Sequence, residues 1–262
     1  MRAPVAGSYH REGATPVKGP AVSDQPARPK IYLLPGLDGT GLLFAPLLGR
    51  LPAGAAQVVR YPFDHSESWE ALVDVVRDQV DTGAPFVLFA ESFSGPVAVR
   101  FLRACGERCV GLLACATFLS NPAPVGLRVA TLPGVSRLVP ARPPRWAVRR
   151  LLLSRRAPVE LVGSVARVIS TVPAATVARR LRLVRGLAAA PTRLPMPVVY
   201  VRGDQDRLVG ARSEAEFLRA IPGATGRRAG GPHLLAQENP GAVAALLLDL
   251  CQLQRPREPS SR

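Results

Sequence analysis

The sequence predicts an α/β fold in which a mostly parallel sheet is covered by helices on both faces. Short, nearly continuous apolar runs alternate along the chain with longer stretches of helical periodicity. Buried parallel strands have this uninterrupted apolar character, because helices cover both faces of their sheet. The predicted strands are 31–34, 57–61, 86–90, 110–116, 198–202 and the weaker run 224–229. The predicted helices between them are 42–50, 67–81, 96–105, 212–220 and 239–253.

The helix predicted over 67–81 shows the periodicity most clearly. Its apolar side chains recur at a spacing of three and four residues, which places them on one helical face. These side chains are Trp69, Leu72, Val73, Val76 and Val80.

Residues 122–195 interrupt the alternation of strands and helices. They contain the helical runs 145–153 and 177–187 but no convincing strand. We therefore expect a helical lid inserted between the fourth and fifth strands. The remaining divisions are a flexible lead-in (1–28), a core formed by 29–121 with 196–254, and a flexible tail (255–262).

The net charge of +15 is concentrated in the predicted lid. Residues 126–193 hold fourteen arginines and one acid, Glu160, whereas the rest of the chain is nearly neutral. This charge would attract anionic substrates or hold the protein at an anionic membrane surface. A solvated Arg-rich face, as a GC-rich genome produces, is the alternative. Nucleic-acid binding is disfavoured, because Trp146 has no interleaved aromatic residues for base stacking.

The composition disfavours disulfide-rich, zinc-binding, secreted and membrane-spanning proteins. With 47% hydrophobic residues, the 262-residue chain can bury a sizeable core. Cys105, Cys109, Cys115 and Cys251 are too few for a disulfide framework and lack zinc-site spacing, so we expect buried free thiols. Neither a secretory signal nor a membrane-spanning helix is expected. These features predict a cytoplasmic protein.

A candidate nucleophile, Ser92, follows the strand 86–90 and precedes a predicted helix with Pro96 in its first turn. The small residues Ala90 and Ser94 stand two positions before and after it. This is the pattern of a nucleophile elbow, in which a tight turn holds the serine in a strained backbone conformation. Glycine is usual at both flanking positions, so the match is imperfect. Ser94 is the rival nucleophile, but it lies closer to the helix body, so Ser92 is preferred.

A glycine-rich turn, LPGLDGTG at 34–41, follows the first predicted strand. In an acyl-transfer enzyme, two backbone N–H groups must face the developing oxyanion. The predicted pair is the N–H of Leu37 and the N–H of Phe93, the residue after the nucleophile. The alternative is a phosphate-binding loop, but the glycine spacing fits neither phosphate-binding motif.

A serine nucleophile needs a base, and the chain has three histidines. His10 lies in the lead-in, and His65 lies before the elbow. His233 follows the last predicted strand and precedes the final helix, a position from which it can reach the elbow. His233 is therefore the predicted base.

The base in turn needs an orienting carboxylate. Asp204 and Asp206 both follow the strand 198–202, at the end where active-site loops gather in open α/β sheets. Asp206 is preferred, because the apolar pair after it can pin it, whereas Asp204 is suited to capping the turn. The resulting order, Ser92, Asp206 and His233, is that of an α/β hydrolase.

Together these segments resemble the α/β-hydrolase superfamily. LPGLDGTGLLF is similar to the oxyanion loop of bacterial hydrolases and of some plant ester-synthase-like acyltransferases. FVLFAESFSGPVA resembles the elbow, GDQDRLV the acid loop and GPHLLAQENP the histidine loop. The resemblance covers about 30–120 and 195–253 and implies an α/β-hydrolase fold with 122–195 as the lid. The chain departs from the pattern in lacking both elbow glycines and in having few residues before Ile31 for the usual first two strands.

The predicted activity is hydrolysis of a small-molecule carboxylic ester or thioester through a Ser-His-Asp triad and an acyl-enzyme. His233 would accept the proton of Ser92, and Asp206 would hold the imidazole in the productive tautomer. This chemistry requires neither a metal nor an organic cofactor. Two alternatives remain open: an acyltransferase with an alcohol acceptor, and an inactive hydrolase-fold binding module. Dehalogenase chemistry is disfavoured, because the elbow carries serine rather than aspartate.

Overall fold

The computed structural model describes residues 28–64, 67–123 and 143–252. The predictions for the lead-in up to residue 27, which includes His10, for His65 and for the tail 255–262 lie outside these residues.

One parallel sheet organises the described residues, as the sequence predicts. Its strands are β1 (Lys30–Leu34), β2 (Ala56–Val58), β3 (Phe86–Glu91), β4 (Cys109–Cys115), β5 (Val198–Gly203) and β6 (Thr225–Ala229). They lie in the order β2-β1-β3-β4-β5-β6, and every neighbouring pair is parallel. The α/β class and the series of predicted strands are therefore confirmed, with small differences at the strand ends.

The second strand ends earlier than predicted. The Val59 N–H still donates to the Leu33 carbonyl at 2.9 Å, but the Tyr61 N–H donates to the Gly39 carbonyl at 2.9 Å. The chain leaves the edge of β1 at this point and crosses to the glycine-rich turn. Tyr61 thereby becomes a support for that turn rather than a strand residue.

Helices cover both faces of the sheet. They are α1 (Ala45–Leu48, preceded by the 3-10 turn Leu42–Phe44), α2 (Trp69–Arg77), α3 (Ser94–Cys105), α4 (Arg145–Leu151), α5 (Val159–Thr171), α6 (Ala174–Arg185), α7 (Ala211–Ala220), α8 (Leu235–Glu238) and α9 (Pro240–Gln252). Along β3, Phe86, Leu88 and Ala90 pack with α2, α3 and α7, whereas Val87 and Phe89 pack with α1 and α9. The strand therefore alternates between two apolar layers, which is why its sequence is apolar throughout.

The predicted apolar face of α2 is confirmed, because all five of its side chains are buried. The helix itself is shorter than 67–81. Ser68 caps its start by accepting the Ala71 N–H at 3.0 Å, and Asp78 is its C-cap.

A helical segment separates β4 from β5, as predicted. Its described part, residues 143–195 (the insertion), contains α4, α5 and α6 and no strand. Helices α4 and α6 correspond to the predicted runs 145–153 and 177–187, whereas α5 was not predicted. Residues 124–142 lie outside the description.

A small apolar cluster attaches the insertion to the core. Val148, Val162 and Val165 from α4 and α5 pack against Leu43 and Leu234, which belong to the loops at the carboxyl edge of the sheet. In the described part of the chain, no single helix is long and apolar enough to cross a membrane. Only α5 and α6 taken together, bent by 92°, reach that length and composition.

The cysteines are free thiols, as predicted. Cys109 and Cys115 are buried, whereas Cys105 and Cys251 are half-buried. Burial raises the pKa of the Cys109 thiol to about 12 and that of Cys251 to about 11. Both therefore stay protonated and weakly nucleophilic at neutral pH.

Candidate active site

The strand order places the candidate residues at one edge of the sheet. The chain order reverses between β1 and β3, since β2 lies on the outer side of β1. In open α/β sheets, ligands bind at such a reversal, beyond the carboxyl ends of the strands. The glycine-rich turn follows β1 and the candidate elbow follows β3, so both segments lie at this reversal.

Ser92 occupies the tight turn between β3 and α3. Its φ of 50° lies in the left-handed region, which is uncommon for a residue with a side chain. Two contacts with the end of β4 hold the turn: the Ser92 N–H donates to the Cys115 carbonyl at 2.9 Å, and the Thr117 hydroxyl donates to the Ser92 carbonyl. Neighbouring backbone therefore maintains the strained conformation that the elbow pattern predicts.

The missing elbow glycines are accommodated by local packing. Ala90 is fully buried within β3, and Ser94 is fully buried at the start of α3. Gly95, one position after Ser94, has no room for a side chain, because an added Cβ would lie 2.0 Å from the Thr117 hydroxyl oxygen. Gly95 thus takes over part of the steric function that the usual motif assigns to its flanking glycines.

Ser94 has a structural role that the sequence did not reveal. Its hydroxyl donates to the Pro35 carbonyl and lies 2.6 Å from the hydroxyl of Tyr61. Ser94 therefore joins the elbow to the glycine-rich turn. Since the His233 ring contacts Ser92 and not Ser94, the geometry favours Ser92 as the nucleophile.

The structure brings His233 between Ser92 and Asp206. Its Nε2 lies 2.9 Å from the Ser92 Oγ, and its Nδ1 lies 3.0 Å from the Asp206 Oδ2. His233 and Asp206 are both buried, so water does not compete strongly for either contact. The three side chains form one continuous hydrogen-bonded chain.

Backbone N–H groups fix the Asp206 carboxylate. Its second oxygen, Oδ1, accepts the N–H groups of Leu208 and Val209, each at 2.9 Å. The expected pinning by this apolar pair thus acts through their backbone. The Asp204 carboxylate accepts the Gly231 N–H at 2.9 Å, which ties the end of β5 to the histidine loop.

Close backbone packing explains the glycine at the end of β5. An added Cβ at Gly203 would lie 2.2 Å from the Gly231 carbonyl oxygen and 2.4 Å from that of Pro232. Only glycine allows the histidine loop to approach the strand this closely. This approach brings the His233 ring within reach of the elbow.

The electrostatics of His233 reflect two opposing effects. Burial lowers its pKa, because the charged imidazolium loses hydration. The hydrogen bond and charge of Asp206, together with the charge of Glu91, raise the pKa and outweigh burial. The net result is a pKa above the ordinary histidine value, so this imidazole readily takes up a proton.

The residues of the predicted oxyanion donors lie at the same cavity as Ser92. Leu37 and Phe93 line the same cavity as Ser92 and His233. Within the described residues, neither of their N–H groups donates to a protein acceptor. The turn that carries Leu37 is shaped by a hydrogen bond from the Gly39 N–H to the Gly36 carbonyl at 3.1 Å.

Arg180, on α6, is a site residue that sequence reasoning missed. It is fully buried, and its Nη1 donates to the Leu37 carbonyl at 2.7 Å. Its guanidinium also lies 5.8 Å from the Tyr61 ring centroid and 5.9 Å from that of Phe93. The sequence does contain an indication of this role, because Arg180 lies on the same inward helical face as Thr176 and Val184. Among the many arginines of this segment, however, a single buried one does not stand out.

Glu91 and Gln237 form a second unpredicted feature. Both are buried, and the Gln237 Nε2 lies 3.1 Å from one Glu91 carboxyl oxygen and 3.3 Å from the other. Burial raises the pKa of Glu91 to about 7, against the smaller opposing effects of Gln237 and His233. The pair connects β3 to α8, directly after the histidine loop.

A cavity of about 290 Å³ opens over Ser92 and His233. Its floor is the elbow and the glycine-rich turn, and most of its wall is aliphatic. Insertion residues that line it are Leu152, Ile169, Val172, Val177, Leu181 and Val184. The arrangement can therefore hold an apolar group against a serine that is hydrogen-bonded to a buried histidine.

Comparison with known proteins agrees with this architecture. The sequence profile of the Alpha/beta hydrolase family matches residues 31–246. None of the curated proteins compared with the chain matches it in sequence. An esterase from Exiguobacterium antarcticum is similar in structure, with 10% identity, a TM-score of 0.70 and coverage of 87% of this chain and 92% of that one.

Two further solved structures have the same fold. An esterase from Thermogutta terrifontis shares 19% identity with a TM-score of 0.69, over 87% of this chain and 91% of that chain. The enol-lactonase from Burkholderia xenovorans shares 18% identity with a TM-score of 0.67, over 86% and 91%. At these identities the structural likeness concerns the fold alone. The profile match, however, spans most of the sequence, and the chain belongs to the α/β hydrolase family.

Proposed function

We propose that the protein is a serine hydrolase that cleaves a carboxylic ester or thioester. The observation that carries this proposal is the hydrogen-bonded chain from the Ser92 Oγ through His233 to Asp206, at 2.9 and 3.0 Å. Nucleophilic serine catalysis requires this connectivity, with the serine held at an exposed turn and the base oriented by a carboxylate. Similar folds in two esterases and an enol-lactonase support the same class of reaction.

In the proposed reaction, the His233 Nε2 accepts the proton of Ser92 as Oγ attacks the acyl carbon. Asp206 keeps Nδ1 protonated and stabilises the imidazolium that forms. The imidazolium then gives its proton to the leaving alkoxide or thiolate. A water molecule, activated by the same imidazole, attacks the acyl-enzyme and releases the carboxylic acid.

The developing oxyanion would lie between the N–H groups of Leu37 and Phe93. Each such donor contributes roughly 3 kcal/mol to transition-state stabilisation in comparable sites. That neither N–H is used within the described residues supports this role. The insertion would act as the lid, since its aliphatic side chains cover the cavity above Ser92.

The alternative of an inactive binding module lacks structural support. Its only basis was the pair of missing elbow glycines, and Ala90, Ser94 and Gly95 fit the turn without displacing Ser92 from His233. A site that had lost its activity would not need a buried, fully connected Ser-His-Asp chain.

A fluorophosphonate probe tests the proposal directly. We expect one covalent adduct on the wild-type protein, measured by intact mass and assigned to Ser92 by peptide mapping. Ser92→Ala and His233→Ala should both lose the adduct, whereas Ser94→Ala should retain it. An adduct that persists in Ser92→Ala, or that maps to Ser94, would overturn the assignment.

A further inference from the structure

The cavity over Ser92 lies between the core and the insertion, and its two walls differ in origin. Phe93, Phe118 and Val209 belong to the core layer that also contains α2 and α3. The opposite wall includes Ile169 and Val172, at the 92° bend between α5 and α6. The space above the nucleophile therefore extends into the angle between these two helices.

One face of α6 provides the continuous part of that wall. Val177, Leu181 and Val184 stand at positions i, i+4 and i+7 and all line the cavity. Neighbouring residues anchor the helix: the Thr176 hydroxyl donates to the Phe63 carbonyl at 2.8 Å, and Arg180 donates to the glycine-rich turn. The distance from this aliphatic stripe to Ser92 is thus fixed by hydrogen bonds to the core.

The cavity lining does not share the basic character of the chain as a whole. Asp38 and Glu91 are the acidic residues in its lining, and no arginine or lysine among the described residues lines it. Arg180 lies nearby, but its Nη1 donates to the Leu37 carbonyl. A carboxylate in the acyl chain would lose hydration here without gaining a cationic partner.

We infer that the enzyme selects esters of neutral acyl groups of intermediate length, whose tail packs on Val177, Leu181 and Val184. This inference rests on the proposed serine hydrolase function. A short acyl group would leave the aliphatic stripe without contacts, and a long one would exceed a cavity of about 290 Å³, at the lower end for ligand pockets. An acyl group with a terminal carboxylate would lose hydration against the aliphatic wall without gaining an arginine or lysine partner.

The test uses neutral fluorophosphonates with an ethyl, octyl or hexadecyl chain. The measured quantity is the second-order rate of Ser92 labelling, followed by intact mass. We expect the octyl probe to react at least about tenfold faster than either of the others, because hydrophobic pockets discriminate chain length on that scale. Hydrolysis of p-nitrophenyl octanoate should likewise exceed that of the p-nitrophenyl monoester of suberic acid, which has the same length and a terminal carboxylate.

Substitutions in the aliphatic stripe test whether α6 determines the preference for acyl-chain length. Leu181→Phe should shorten the cavity and move the preference towards the ethyl probe, whereas Leu181→Ala should extend it towards the hexadecyl probe. Val177→Phe provides a second shortening variant if Leu181→Phe does not fold. Arg182→Phe adds the same ring to the exposed side of α6 and should leave the wild-type preference unchanged.

The outcomes separate the two proposals. Absence of labelling with every probe would refute the proposed hydrolase function. Labelling of Ser92 at equal rates by all three probes, or a preference that the Leu181 variants do not move, would refute the acyl-selectivity inference alone. Equal hydrolysis of the octanoate and suberate esters would contradict the inferred preference for neutral acyl groups.

Discussion

The two sides of the cavity are held in place by different forces. On the sheet side, Ser92, Asp206 and their neighbours are fixed by hydrogen bonds to backbone groups at the ends of β3, β4 and β5. On the insertion side, aliphatic side chains form the cavity wall, and hydrogen bonds from Ser154, Thr176 and Arg180 attach the insertion to the core. The side chains that face the cavity therefore differ: Ser92 and Asp206 are positioned by directional contacts, whereas the aliphatic side chains of the insertion are positioned by non-directional packing on helices that hydrogen bonds anchor.

This difference has a consequence for how the site can change. A substitution in the aliphatic wall alters volume at modest cost, because apolar side chains can repack. A substitution among the hydrogen-bonded groups leaves a buried polar atom without its partner. We therefore expect substrate choice to be adjustable without loss of the chemistry.

The largest expected effect is on the sheet side. Asp206→Asn should lower kcat by about 10⁴, because the amide favours the wrong tautomer of His233 while keeping the shape of the side chain. Steady-state kinetics with a p-nitrophenyl ester would measure it. Asp204→Asn is the matched control, since Asp204 contacts the Gly231 N–H and not the imidazole, and it should lose far less activity. Equal losses in the two variants would contradict the assigned roles.

Substitutions of Arg180 test whether the insertion influences the rate of the proposed reaction. Arg180→Met should reduce kcat by roughly 10- to 100-fold, because the Leu37 carbonyl loses its donor and the predicted oxyanion N–H loses its fixed orientation. The free energy of unfolding should also fall by about 1–3 kcal/mol, the cost of an unsatisfied buried polar group. Denaturant unfolding and steady-state kinetics would measure both changes.

A purely structural role for Arg180 makes a different prediction. In that case Arg180→Lys and Arg180→Met would lose stability without a selective loss of kcat. If Arg180 positions the turn, Arg180→Lys should recover part of kcat, and KM should change little in either variant. A rise in KM alone would place Arg180 in substrate binding instead.

Ionisation of Glu91 should make the stability of the protein depend on pH. Its folded-state pKa of about 7 lies above its ordinary value of 4.5, so the folded protein holds this proton more tightly than the unfolded chain. The resulting stability, on the order of 3 kcal/mol, is fully present below pH 4.5 and is lost as the pH rises to 7. The melting temperature of the wild type should therefore fall relative to that of Glu91→Gln as the pH rises between these values, because glutamine does not ionise.

The same variant should change the pH profile of activity. The charge of Glu91 contributes to the raised pKa of His233, and the base must be neutral to accept the serine proton. Glu91→Gln should therefore move the acidic limb of the kcat/KM profile to lower pH. A limb that stays in place would show that Glu91 does not influence His233.

The sequence predicted the sheet side of the site better than the insertion side, for a physical reason. Ser92, Asp206 and His233 each follow a strand within a short segment whose turn chemistry is local. Arg180 and its partner Leu37 are distant in sequence, and so are Glu91 and Gln237. No local pattern indicates that these residues will meet. The early end of β2 was missed for a similar reason, because Tyr61 is drawn to the Gly39 carbonyl.

The position of the insertion in the chain also affects how the molecule is made. Strands β3 and β4 are close in sequence, but the other edge of β4 pairs with β5, which follows the whole insertion. Ribosomes add about 5–20 residues per second, so this apolar parallel edge stays unpaired for several seconds. Unpaired strand edges template aggregation. The segment that lines the cavity in the folded protein therefore delays the pairing of β4 during synthesis, and slower translation across the insertion should lower the soluble yield.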